Sequence, residues 1–429
     1  MPTEPPSPLL RLTTHLPRLT PGAAAPLALS SLTLTIAMAM ATAAPAMAQT
    51  STPYYLGASL GLTHVSTNYR QSTGANSDRV LSAGLLAGID QSFGRQRLSA
   101  DGSVQDNRYS DNRSLNNRSY NLRTALDWQT VGRLSGTVSA STSRSLADFN
   151  IGNGAIPSFS KNAERNEEYG AVARLGVGTR YSLESGFSHR RRNFSAAEYQ
   201  RFVYQQNTTS IGAYATPGAN LKLGVAARRT RGTNPNSPIF ALGFPFGSAP
   251  NDFTRNDFDL TASWNTGGSS NLNARVSASS THNSLANIPF ASGFSSGIRD
   301  FKGTTGALGW NWQVSPKLLL GTQFSRDTGQ EALPQATEIN SVYNRWRFSA
   351  NYELTAKVSL NAAFNTSRSH ASSNSSFDND NGRALGIRWA FSRGVSLGCQ
   401  INHSGRDSSS PANIYSADSY GCTGQALVF

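Results

Sequence analysis

Residues able to do chemistry are few and scattered. The histidines are His15, His64, His189, His282, His370 and His403, and the only cysteines are Cys399 and Cys422. A Ser/His dyad would be sought at His189 or His403, but serine is so abundant that such neighbours arise by chance. Metal-ligand spacings, phosphate loops and dinucleotide fingerprints are absent. The adjacent acids Glu167 and Glu168 read as a solvated loop edge, because neighbours on a strand point to opposite faces and make a poor glycosidase couple. The expectation is therefore a non-enzyme with no catalytic residue, no metal and no cofactor.

Cys399 and Cys422 are 23 positions apart, in what reads as the last hairpin. In an oxidising compartment, an even pair on adjacent strands reads as a disulfide contributing about 3 kcal/mol through loop closure. The alternatives are a metal site, for which only His403 is near, and a reactive thiol, for which no CxxC is present. Cys399 shares parity with Val395, Leu397 and Ile401, and Cys422 with Ala426 and Val428 but not Phe429. A bulge or a frayed last residue reconciles the two rows.

The elements that must position these residues are strands. The chain has 429 residues, of which 38% are hydrophobic, 15% charged and 9% aromatic, with 38 glycines. That is too polar for a helical membrane protein, too poor in charge for an ordinary soluble enzyme and too aromatic for a disordered chain. A transmembrane β-barrel needs only every second strand residue to be apolar, and fits. The first 48 residues differ: Arg11 and Arg18 precede the uncharged Leu27 to Met40, and Ala46-Met47-Ala48 provides a signal-peptidase site with cleavage between Ala48 and Gln49. Removing 48 of 429 residues leaves 381, with a net charge of about +12 after two Arg and one Glu are lost from +13. Because the chain is exported and its longest basic run is Arg190-Arg191-Arg192, nucleic acid is excluded as a partner in favour of anionic carbohydrate or lipopolysaccharide.

From Pro53 onward, runs of about ten residues alternate apolar and polar. Examples are Tyr120, Leu122, Leu126 and Trp128; Phe258, Leu260, Ala262 and Trp264; Leu272, Ala274, Val276 and Ala278; and Trp346, Phe348, Ala350, Tyr352 and Leu354. Tight turns are expected near Gly94, Gly132, Gly178, Pro217-Gly218, Gly267-Gly268, Pro316, Ala356 and Gly394. Long loops are expected at 146–165, 231–253, 281–299 and 367–382. Eight tight turns alternating with about nine long loops predict an all-β fold, a closed antiparallel transmembrane β-barrel of about 18 strands (16 to 20), over 49–429. The strands are expected to be about 9 to 11 residues long. Trp128, Trp264, Trp310, Trp312 and Trp389 fall near the short turns, where an aromatic girdle would sit. At the end of the chain, Leu427 and Phe429 read as the terminal-strand signal for the barrel assembly machinery, although Gln425 and Thr423 shorten their apolar row.

Several strings resemble a known family. LNNRSYNLRTALDWQ, FTRNDFDLTASWNTGGSSNLNARVS, GTTGALGWNWQVSPKLLLGTQFSRDTG and the closing SLGCQ with YSADSYGCTGQALVF are similar to the exosortase-associated exopolysaccharide biosynthesis outer-membrane proteins, a branch of the β-barrel porin family. The likeness runs from about Tyr54 to Phe429, and the paired cysteines with the preceding Tyr415 are its most specific part. It implies a bacterial outer-membrane barrel for polysaccharide export, working with synthesis machinery and a periplasmic polysaccharide export protein. The resemblance supplies no catalytic residues.

With the apolar row facing the outer membrane lipids, the other row places Arg123, Lys222, Arg228, Arg275, Arg345, Arg347 and Arg388 in the lumen. Asp127, Glu184, Asp257, Asp259, Lys317 and Glu353 join them. A mildly cationic, hydrated wall inside a low-dielectric shell would concentrate an anionic polysaccharide or small anions. The sequence thus reads as a conduit or docking component for exopolysaccharide export. The alternatives are a general or anion-preferring diffusion porin and, behind it, a lipid- or glycan-modifying barrel enzyme.

Overall fold

The computed structural model describes residues 53–70, 76–150, 160–241, 244–266, 268–287, 294–296, 298–328, 341–371 and 377–429. The expected signal segment and its cleavage site at Ala48 and Gln49 lie outside the described residues, as does Gly267.

The strands are β1 Tyr54–Val65, β2 Asp78–Phe93, β3 Gln96–Tyr109, β4 Asn117–Gln129, β5 Leu134–Leu146, β6 Ala163–Leu175 and β7 Tyr181–Phe194. There follow β8 Tyr204–Gly218, β9 Leu221–Ala241, β10 Phe244–Asn265, β11 Ser270–Asn283, the two-residue β12 Phe294–Ser295 and β13 Phe301–Ser315. The remainder are β14 Leu318–Thr328, β15 Ser341–Glu353, β16 Val358–Ala371, β17 Phe377–Ala390, β18 Val395–Ser408 and β19 Tyr415–Val428. All but β12 form one antiparallel barrel of 18 strands, closed by β1 against β19 from Leu56↔Val428 to Val65↔Ser419. Closure is obligatory in hydrocarbon, where an edge would leave a row of backbone N–H and C=O groups without water. The start of β1 and the end of β19 lie at the short-turn rim, since Tyr54 pairs with Ile89 near the end of β2 and Val428 closes on Leu56.

The short turns fall where the sequence places them. Gly94, at φ +63, and Gly176 and Gly178, at φ +86 and +80, adopt backbone that a side chain would strain.

Strand lengths differ from expectation. Apart from β12 they run from 11 residues in β14 to 22 in β10, because pairing continues above the hydrocarbon instead of stopping at it. The segment read as a loop over 231–253 is largely a β-hairpin, with β9 reaching Ala241 and β10 starting at Phe244. Register shifts between Pro245 and Gly247 and between Ala249 and Asn251 accommodate Pro245 and Pro250 without ending the ladder. Glu167 and Glu168, expected at a loop edge, stand inside β6, paired with Arg191 and Arg190 of β7.

Alternation assigns the two faces. Leu56, Leu60, Leu85, Leu122, Val138, Leu183, Ile211, Val225, Leu260, Val276, Phe348 and Leu385 all stand exposed on the outer wall. Trp264, Trp310, Trp312 and Trp389 join them near the short turns, and the rings of Trp310 and Trp312 stack at 5.5 Å. Trp128 is half-buried because it lies over Gly136, where a Cβ would come within 2.5 Å of the ring.

Cys399 and Cys422 are direct register partners, bridged as a disulfide with Cα atoms 4.0 Å apart. The two rows need no bulge: Val395 pairs with Ala426, and the outward row of β19 is Tyr420, Cys422, Ala426 and Val428, the last 75% exposed. Phe429 follows the strand, and Leu427, half-buried, belongs to the inward row beside Gly57.

Candidate functional site

The inward row lines a polar lumen, and all seven basic residues expected there lie on it. Their partners differ. Arg228 reaches Asp257 and Asp259, each at 3.3 Å, and Arg275 approaches Asp327 at 3.8 Å. Lys222 sits 4.2 Å from the centroid of the Tyr214 ring, a cation–π contact. Arg123 opposes Asp101 in register. Arg345 and Arg347 stand on β15 between neutral neighbours, Ser325 and Ser367 beside the first and Gln323 and Asn365 beside the second. Arg388 lies between Ser359 and Gly398. Among the described residues, Arg123, Arg345, Arg347 and Arg388 have no carboxylate within ion-pair distance. Lys317, expected inside, sits instead in the turn between β13 and β14.

The densest cluster centres on a residue the sequence reading missed. Arg255 of β10 is 2% exposed; it binds Asp327 at 2.6 Å and Asp257 at 2.9 Å, and donates to Ser279 and Thr305. It shares the parity of Asp257 and Asp259, so continuing that row two positions toward the N-terminus would have found it. A second ladder joins β6 and β7: Arg174 to Glu184 at 3.1 Å, Arg190 to Glu168 at 3.3 Å and Arg192 to Glu164 at 3.0 Å.

These additions change the electrostatics. Inward strand positions among the described residues carry the cations Arg97, Arg123, Arg174, Arg190, Arg192, Lys222, Arg228, Arg255, Arg275, Arg345, Arg347, Arg388 and Arg406. Against them stand Asp78, Asp90, Asp101, Asp127, Glu164, Glu168, Glu184, Asp257, Asp259, Asp327, Glu353, Asp378 and Asp380, one acid for each base. The expected cationic lumen is therefore a balanced one, in which pairing leaves local cations such as Arg345 and Arg347 and local acids such as Asp101 and Glu353. The +13 of the sequence resides elsewhere.

At the long-connection end the lumen is narrowed. Beyond β5, Ala147, Phe149 and Asn150 are buried; Phe149 packs with Tyr69, Leu115 and Leu146, and Tyr199 Oη donates to the Phe149 carbonyl at 2.8 Å. The inward Arg406 donates to Asn150 Oδ1 at 2.9 Å and to Asp380 at 2.7 Å, while Asn150 Nδ2 donates to the carbonyls of Arg70 and Asn413. Arg70 and Arg406 each stand 5.6 Å from the Tyr415 ring centroid, and Arg70 pairs with Asp148 at 3.0 Å. Burial alone would lower the pKa of the Arg70 guanidinium, but Asp148 and Tyr415 raise it by more, so the group stays charged.

The histidines His64, His189, His282, His370 and His403 occupy the outward row near the same rim. His189 contacts Asn207 at 2.7 Å, His282 contacts Asp300 at 2.8 Å and His403 contacts Asp418 at 2.7 Å. Among the described residues no three His, Cys, Asp or Glu groups gather as a metal site.

No family model matches the chain, and no curated protein matches it, so the sequence resemblance is not carried as family membership. Among solved structures, OccK2 (OpdF) of Pseudomonas aeruginosa aligns at TM-score 0.45 and 11% identity, over 88% of this chain and 97% of that one. A BenF-like porin from Pseudomonas fluorescens Pf-5 aligns at TM-score 0.43 and 10% identity, covering 87% and 99%. OpdK of Pseudomonas aeruginosa with vanillate aligns at TM-score 0.43 and 9% identity, covering 87% and 98%. The chain is a bacterial outer-membrane β-barrel, with a lipid-facing wall and a polar interior.

Proposed function

We propose that this barrel is a diffusion channel of the outer membrane that prefers small organic anions. The observation that carries the reading is the pair Arg345 and Arg347. Both face the lumen from one strand, flanked by Ser, Asn and Gln and free of a carboxylate within ion-pair distance among the described residues. A guanidinium facing the lumen within a low-dielectric shell attracts a carboxylate and offers it two parallel N–H donors. The inward strand positions as a whole carry as many acids as bases, which keeps the attraction local, so an anion is drawn in without being trapped. Arg123 and Arg388 extend the cationic surface; Arg228, Arg275 and Lys222, already engaged, contribute hydration and shape.

Export of an acidic polysaccharide, the role implied by the sequence resemblance, stands second. The inward fold of Ala147–Asn150 at the mouth favours a small solute over a polymer. The two readings part in planar bilayers. A channel gives steady conductance with a reversal potential displaced toward the anion in a salt gradient, whereas a closed barrel that conducts only with export partners rejects the first reading.

A further inference from the structure

The outer wall changes character along its height. At the short-turn end its outward row carries aromatics such as Trp264 and Trp310, and at the opposite end it carries arginine. Arg79, Arg144, Arg191, Arg326, Arg368 and Arg383 are all exposed on outward strand positions, and none has a carboxylate within ion-pair distance among the described residues.

Two geometric facts point to an anionic occupant. Arg144 and Arg165 are direct register partners on β5 and β6. Like charges directly opposed are destabilising unless something anionic lies between them, and the one acid that Arg165 contacts, Glu167, stands two positions along β6, in register with Thr142 of β5 and Arg191 of β7. Arg326 and Arg368 likewise flank Asn344 in one row, with Arg326 donating to its Oδ1 at 3.4 Å and Arg368 donating to Asn379 Oδ1 at 2.9 Å.

The height of the belt identifies where it stands. On β5, β6 and β7, ten residues separate the outward apolar residue at the short-turn end (Leu134, Leu175, Tyr181) from the belt arginine (Arg144, Arg165, Arg191). Ten residues at about 3.3 Å each, tilted by about 40°, rise about 25 Å, the height of the lipid-facing band of an outer-membrane barrel. Arg144, Arg165 and Arg191 therefore stand at the height of the outer leaflet's headgroup layer.

We propose that this belt anchors the barrel by binding the phosphate groups of the phosphorylated glycolipid of that leaflet, the lipopolysaccharide class. Guanidinium forks match phosphate oxygens, and spaced cations around the circumference suit a partner that surrounds the barrel. The site lies on the opposite face of the wall from the lumen and does not depend on the channel reading.

The test uses the full chain refolded in detergent, titrated with deep-rough lipopolysaccharide and with the same material after enzymatic dephosphorylation, and read by native mass spectrometry. Dephosphorylation should weaken binding at least about tenfold, as should the combined Arg144→Ser, Arg326→Ser and Arg368→Ser variant, while replacement of the three by Lys retains most of the affinity. Equal binding of phosphorylated and dephosphorylated lipid would overturn the proposal, and so would a folded, heat-modifiable Ser variant that binds like the parent. Should the Ser variant not fold, the lipid comparison on the parent chain decides.

Discussion

Asn150 Oδ1 accepts a hydrogen bond from Arg406 Nη1 at 2.9 Å across 256 positions of sequence. Arg406 faces the lumen from β18, and Asn150 follows β5, six strands round the wall. Residues 147–150 after β5 therefore reach into the mouth, held by a charge-assisted bond at Asn150.

Replacing Asn150 by Ala should release residues 147–150. Loss of the bond to Arg406 costs about 1.5–3 kcal/mol locally, and single-channel conductance should rise with more frequent flicker. Conductance identical to that of the parent would show that Asn150 does not limit the passage.

Arg255→Ala should be among the most destabilising single substitutions. It leaves Asp257 and Asp327 buried without their shared cation, a loss of about 3–5 kcal/mol. Urea titration of the folded barrel, followed by its gel-mobility shift, measures the change. A loss under about 1 kcal/mol would mean that water reaches the cluster and solvates the acids.

Arg345→Ser with Arg347→Ser should move the reversal potential in a salt gradient toward zero without unfolding the barrel, because neither side chain holds a carboxylate in place. An unchanged reversal potential sinks the assignment of anion preference to this pair.

Under oxidising conditions Cys399 and Cys422 should resist alkylation until reduced, since they are bonded across adjacent strands. Cys399→Ser should lower stability by about 3 kcal/mol on the chain-entropy account. Free thiols in protein purified without reductant would contradict the pairing.

Much of this architecture was legible in the sequence because period-two alternation is a direct record of which face meets lipid. Trp346 and Phe348 announced the outer wall of β15 and so placed Arg345 and Arg347 inside. Turn chemistry did the same for Gly94 and Gly178. What was not legible is how far strands continue above the membrane, where lipid no longer imposes alternation. The segment 231–253, read as a loop, is largely a hairpin with Pro245 and Pro250 at its bulges, and Arg255 stands just beyond it, two positions before the row read from Asp257. The charge balance was hidden for a related reason. Glu164 and Asp380 lie within 146–165 and 367–382, which read as loops, so these acids were not counted against the lumen bases.

The central claim is tested most directly by the reversal potential of the purified barrel in a planar bilayer under a potassium chloride gradient, repeated with a small organic carboxylate in place of chloride. The account predicts steady conductance, a reversal potential on the anion side and measurable carboxylate current. A cation-side reversal potential, or no conductance from correctly folded protein, would contradict it.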